Sequence, residues 1–271
     1  PGKLLSLLKK IDISLSDFDN WNIIRLVSLC GYFANEKMED DFVIEFLVSM
    51  ATTHIDPVDE SLKVKVEGDK TESIYASGFN TVRGSAVYLL PYFYYFKKHE
   101  HLLFETLENV AKHDLLPVKS QMMPHLAWLT NLDKARALRL FLLMIRGNQE
   151  VVMKHSTWSA QYFARQNFEA MKTYFEQALI HPKLHKDMGI ILSLAWISGE
   201  ENAFDLLNQF VNTSQESKAG AIEVAARNIR NSEDQVVQKS IDLFERFWDE
   251  IDEKVVQAYD LAFRYLKSVD F

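Results

Sequence analysis

Four kinds of residue in this chain of 271 residues could do chemistry: eight histidines, one cysteine, several adjacent carboxylates and a run of five aromatics. A bound metal needs donors that converge. His99 and His101 are two apart and diverge on a helix, while His181 and His185 are four apart with Pro182 between them at a helix start. No H-E-x-x-H and no cysteine pair accompanies them, so no metal site is expected and the histidines read as solvent-facing turn residues. General acid–base work needs two carboxylates meeting in a cleft, one of them desolvated. Asp40–Asp41, Glu200–Glu201, Asp249–Glu250 and Asp252–Glu253 instead fall at turns or helix starts, where acids cap and solubilise. Cys30 sits on the apolar face Ile24–Leu26–Val27–Cys30 and reads as a buried structural thiol. A lone cysteine excludes an internal disulfide framework and fits a reducing, cytoplasmic compartment. A phosphate-binding loop needs glycine-freed amides beside a lysine and a hydroxyl. No G-x-x-x-x-G-K-[ST] occurs, and Gly147 with Lys154 does not approximate one. The residues therefore carry no catalytic motif, and neither enzymatic activity nor a cofactor is expected.

The aromatic run, Tyr92–Phe96, closes the stretch Gly78–Phe96, GFNTVRGSAVYLLPYFYYF. Five consecutive positions cover all sides of a helix, so the run has two readings. Either the rings fill the cores within and between helical repeats, or Tyr92, Tyr94 or Tyr95 lies on a binding face as an anchor for a protein partner. Arg83 also has two readings, an ion pair with an acid of the adjacent repeat or a ligand contact. Gly84, Ser85 and Ala86 are small enough to let a neighbouring helix approach, so Asn80, Arg83 and Gly84 are assigned structural roles.

These residues need elements to position them, and the composition says which. Apolar residues make up 48% and aromatics 12%, ample for a packed core, while nine glycines and six prolines are too few for a sheet-rich fold. The apolar runs, such as Ala86–Phe96, are too short to span a bilayer, and no secretory leader is seen. A net charge of −8 disfavours nucleic acid, which needs a clustered basic surface. The start at Pro1–Gly2, without methionine, reads as an excised fragment of something longer or as the remnant of an artificial start.

In chain order, Lys3–Lys10 is a short amphipathic piece. Ser16 and Asp17 are candidate caps for a helix running to about Phe33, and a second helix is expected over about 38–50. The stretch 54–78, framed by Pro57 and Gly78, breaks the pattern, with a strand-like alternation at Leu62–Val66. It reads as an insertion, either a loosely packed linker or a binding loop. From Asn80 onward the spacing predicts helix pairs. First helices cover about 80–96, 117–130, 150–166, 183–198, 216–230 and 252–267, with second helices over about 99–113, 133–147, 168–180, 201–212 and 234–248. Successive first helices start about 33–37 residues apart, the signature of a helical solenoid. Three-four stripes such as Ala203, Leu206, Leu207, Phe210 and Ile222, Ala225, Ala226, Ile229 support it. Pro91 and Pro124 are interior to helices and should bend them. The expected fold is all-α, an α-solenoid of stacked antiparallel helix pairs. It divides into N-terminal helices over 1–53, the insertion, and one continuous repeat array over 79–271.

Asn80-Thr-Val-Arg-Gly-Ser-Ala86 followed by Leu89–Leu90 resembles a HEAT-type first helix, and Lys218–Asn228 resembles a small-residue helix with an Asn-capped stop. Asp252-Glu-Lys-Val-Val-Gln-Ala258 resembles another HEAT-like helix, with Val256 where arginine is usual, which would interrupt an arginine ladder. With Ala160–Phe163 and Phe168–Ala178 between them, these motifs resemble the C-terminal helical-repeat sensor region of bacterial STAND-type NTPases, including the Avs-like antiviral defence proteins. The resemblance covers about Gly78–Phe271. It implies a non-catalytic, TPR- or HEAT-like sensor that binds a foreign or phage protein within a larger NTPase. Two alternatives stay open. One is a free-standing adaptor. The other is a HEAT-like DNA glycosylase, which would need a basic groove that the charge of −8 argues against.

Overall fold

The structure, a computed structural model, describes residues 2–10, 19–54, 70–147 and 149–268. All the regular elements among them are helices. The expected caps Ser16 and Asp17 and the strand-like Leu62–Val66 lie outside the described residues. The chain divides into two compact units, Pro1–Ser159 and Ala160–Phe271. Their boundary lies within the stretch 79–271 that the sequence reads as one array.

The first unit holds α1 (Gly2–Lys10), α2 (Asn20–Asn35), α3 (Asp41–Thr53), α4 (Lys70–Phe79), α5 (Val82–Leu89), α6 (Glu100–His113), α7 (Leu116–Gln121), α8 (Lys134–Ile145) and α9 (Glu150–His155). Caps explain several starts. Asp19 accepts from the Asn22 amide at 2.8 Å, Asp40 from Phe42 at 3.1 Å and Asp133 from Arg136 at 2.9 Å. Helix α4 corrects the expected insertion: the last nine residues of that stretch, with Phe79, form the helix Lys70–Phe79, which packs on α7. Their apolar positions Ile74, Tyr75 and Phe79 recur at near-helical spacing, but two glycines and a proline nearby obscured the period.

The expected helix 80–96 is also corrected. It starts two residues later, at Val82, with the Thr81 cap hydroxyl accepting from the Gly84 amide at 2.9 Å. The α-helix ends at Leu89, and Leu90–Phe93 is a 3₁₀ turn. Proline at position 91 cannot donate the i→i−4 bond, so the chain tightens there. The same happens at Pro124, where the expected helix 117–130 becomes α7 followed by a 3₁₀ segment over Met123–Asn131. The five aromatics therefore do not ring one helix. Phe93 and Phe96 are buried, whereas Tyr92, Tyr94 and Tyr95 are half-buried.

Helix α10 (Thr157–Gln166) crosses the boundary between the units. The second unit continues with α11 (Lys172–Ala178), α12 (His185–Ile197), α13 (Asn202–Thr213), α14 (Gln215–Asn228), α15 (Asp234–Glu245) and α16 (Glu253–Ser268). It is the regular part of an α-solenoid-like helical repeat: α12, α14 and α16 pack side by side, with α13 and α15 against them as a second layer. Gly199, at φ +104°, ends the turn after α12. Helix α15 starts without a side-chain cap. Glu233 occupies the cap position, and its amide donates to Asn231 Oδ1 at 3.0 Å.

The layer α12–α14 is close because its contact is made of glycine and serine. A Cβ on Gly189 would collide with the Ser217 carbonyl, and one on Gly220 with the Lys186 carbonyl. The Ser217 hydroxyl donates to the His185 carbonyl at 3.0 Å. Two repeats earlier, Ser159, likewise the third residue of its helix, donates to the Met123 carbonyl at 2.7 Å. The recurrence explains why small residues recur at these helix starts: they trade side-chain volume for main-chain proximity.

Candidate functional site

Residues of like chemistry converge in the first unit as a belt of aromatic rings. Tyr75 and Phe79, four apart on α4, share a face, as do Tyr88 and Tyr92 across the end of α5. His125 and Trp128 are three apart on a 3₁₀ segment, where that spacing aligns side chains. The rings then join edge to face. Tyr75 meets Phe79 at 5.2 Å between centroids, Phe79 meets Tyr88 at 5.0 Å, and Tyr88 meets Tyr92 at 5.7 Å and His125 at 4.9 Å. Tyr92 packs on Trp128 at 4.5 Å, and Trp128 on Tyr94 at 5.8 Å and Trp158 at 6.2 Å. At the other end His155 stacks flat on Tyr75. Tyr88, Tyr92, Tyr94, His125 and Trp128 are half-buried, while Phe79 and the terminal Trp158 are 37% and 49% exposed. Contacts of this kind contribute roughly 0.5–1.5 kcal/mol each beyond burial, so the belt is a held surface and not a loose patch.

Polar tips order it further. The Tyr92 hydroxyl donates to the Tyr88 hydroxyl at 3.3 Å and lies 3.1 Å from His125 Nε2. Burial pushes the His125 imidazole down to about 4, so it is neutral at pH 7. Burial raises the Tyr75 and Tyr92 phenols, and neighbouring tyrosines add to the effect. A histidine titrating near 4 is a weak general base and a tyrosine held protonated is no nucleophile. The belt presents ring faces and neutral hydrogen-bonding groups, which suits it to binding.

Of the three expected anchors, Tyr92 and Tyr94 join the belt. Tyr95 departs from it: its hydroxyl donates to the Met38 carbonyl at 3.2 Å and its ring leans on Phe93 and Tyr94. Arg83 pairs with Asp114 at the turn after α6, the structural alternative. Gly84 meets the Gly78 carbonyl and the Thr81 hydroxyl oxygen, so α4 and α5 abut at main-chain distance. Asn80 lies in the turn before the Thr81 cap. Val256 is exposed, and Lys254, two residues earlier, bridges to Glu216 of α14.

The remaining chemical candidates resolve into structure. Cys30 is fully buried, its thiol pushed up to about 12 by desolvation. Asp41 binds Lys98 at 2.5 Å and His99 at 2.7 Å, and Glu250 binds Lys218 at 2.6 Å. The solvent-facing reading of the histidines is wrong for His185, which is 7% exposed, with Nε2 3.0 Å from the Leu179 carbonyl and its ring against Phe210. Its place at the first turn of α12 points it into the layer interface. Among the described residues no group of three or more potential metal donors is found, and no helix is long and apolar enough to cross a membrane.

Sequence reading missed Tyr75, Tyr88, His125, Trp128 and Trp158. The retrievable signal was H-L-A-W just after Pro124, because a proline-started 3₁₀ turn brings such a pair into line. The chain matches no protein-family description and no curated protein.

Proposed function

We propose that this chain is a non-catalytic helical-repeat module that recognises a protein partner, and that the aromatic belt is its binding surface. The carrying observation is the convergence of Phe79, Tyr88, Tyr92, Tyr94, His125, Trp128 and Trp158 from separate elements into one part-exposed surface. Tyrosine and tryptophan give large contact area at low entropic cost and dominate binding hot spots. The neutral His125 keeps the centre of the belt uncharged, and the net charge of −8 favours protein over nucleic acid. The resemblance to STAND-type sensor regions sharpens the proposal: the chain would serve in the cytoplasm as the sensing part of a larger antiviral NTPase, with a foreign protein as partner and no cofactor of its own.

The test is site-specific photocrosslinking. A benzophenone amino acid at Trp158 or Tyr94 should trap one defined protein in phage-challenged cells, whereas one at Trp21, an exposed tryptophan elsewhere, should not. Equal labelling at all three positions, or none at the belt, would refute the assignment.

A further inference from the structure

A groove lies in the other unit. Helices α14 and α16 leave a groove of about 480 Å³ between them, partly open to solvent. Its floor is Ala219, Ala226, Ala258 and Ala262, and its lip carries Leu261 and Tyr265, which are 63% and 45% exposed. From Glu216 to Arg227 the wall runs eleven residues, about 16 Å at ~1.5 Å per residue, or three helical turns. An enclosed pocket would suit a small molecule, whereas a partly open trough of this length matches a short helix laid against alanines.

The rim specifies the charge of the occupant. Glu223 bridges two cations, Lys186 at 3.1 Å and Arg227 at 2.5 Å, while Glu216 is matched by Lys254 alone. Lys254 holds the Glu216 carboxyl down at about 2, so that pair is already balanced. At Glu223 one carboxylate faces two cations, leaving one positive charge uncompensated in a chain whose net charge is −8. Arg227 can turn a second face of its guanidinium to an incoming carboxylate without releasing Glu223.

We propose that the α14–α16 groove docks an acidic amphipathic helix of about three turns from a partner protein, its apolar stripe on Leu261, Tyr265 and the alanine floor and an Asp or Glu against Arg227 and Lys186. This reading stands independently of the aromatic belt.

A phage-displayed library of random 14-residue segments tests it, selected on the whole chain and counter-selected on Ala258→Leu, which fills the floor from a half-buried position. Recovered segments should carry apolar residues at three-four spacing with at least one acid. Their affinity should fall at least tenfold on Arg227→Glu and be restored there when the segment's acid becomes lysine. Both variants should retain the circular dichroism of the parent, since Arg227 is exposed and Ala258 lies at the groove surface. Recovery of no segment, of segments without acids, or of segments that bind both variants as well as the parent overturns the proposal.

Discussion

Lowering the pH from 7 to 5 should destabilise the first unit through His125. The imidazole titrates at about 4 when folded, against an ordinary value of about 6.5 in the unfolded chain. Over that interval the unfolded state binds the proton and the folded state does not, so stability is present above about 6.5 and drains away as pH falls toward 4. The two values give a loss of about 2 kcal/mol between pH 7 and pH 5. Because the ring is only half-buried, solvent screening brings this down to roughly 1 kcal/mol. The window from 6.5 to 4.5 also lies above the carboxylates Asp41, Glu108 and Glu216, whose pKa values are all lowered by their hydrogen-bonded partners. Urea midpoints at pH 7, 6 and 5, followed by tryptophan fluorescence, should shift down for the parent and markedly less for His125→Gln, which keeps a hydrogen-bonding group but cannot charge. An NMR titration of the ring should show no protonation above pH 5. Equal pH slopes in both proteins, or a ring titrating near 6.5, would refute the burial argument and with it the uncharged belt.

Further predictions concern the repeat contacts. Gly220→Ala should destabilise the second unit by about 1–3 kcal/mol by denaturant unfolding, since the Lys186 carbonyl must retreat and this outweighs the gain of up to ~1 kcal/mol in helix propensity. Ser217→Ala should cost about 1 kcal/mol by leaving the His185 carbonyl without its hydroxyl donor. Glu108 accepts from Arg136 through Nε at 2.7 Å and Nη2 at 3.1 Å, joining α6 to α8. Glu108→Gln should cost about 1 kcal/mol at pH 7, with the difference vanishing as pH falls below the ordinary glutamate range, because that hydrogen bond lowers the Glu108 pKa.

The repeat was legible in the sequence wherever a helix could be recognised by its own stripe. Ala203–Phe210 and Ile222–Ile229 announce α13 and α14, because a helix facing neighbours on several sides must repeat its apolar residues every three or four positions. Legibility failed where the backbone changes type. Pro91 and Pro124 predicted bends, but the switch to 3₁₀ geometry after each is what brings His125 and Trp128 into line beneath Tyr92. The belt was half visible for the same reason. Tyr92 and Tyr94 stood out as an odd composition, while His125 and Trp128, which pack against them, come from 33 and more residues away and carry no local signal. Tyr95 looked equivalent to its neighbours, yet the tightened turn points its hydroxyl back to Met38.

Measuring the affinity of the protein captured at Trp158 for parent, Trp128→Ala and Trp21→Ala, with circular dichroism confirming that each variant is folded, tests the central claim most directly. If the belt is the recognition surface, Trp128→Ala should weaken binding at least thirtyfold, a loss of about 2 kcal/mol as for a hot-spot residue, and Trp21→Ala should leave it within twofold. Unchanged affinity in a folded Trp128→Ala protein would contradict the account.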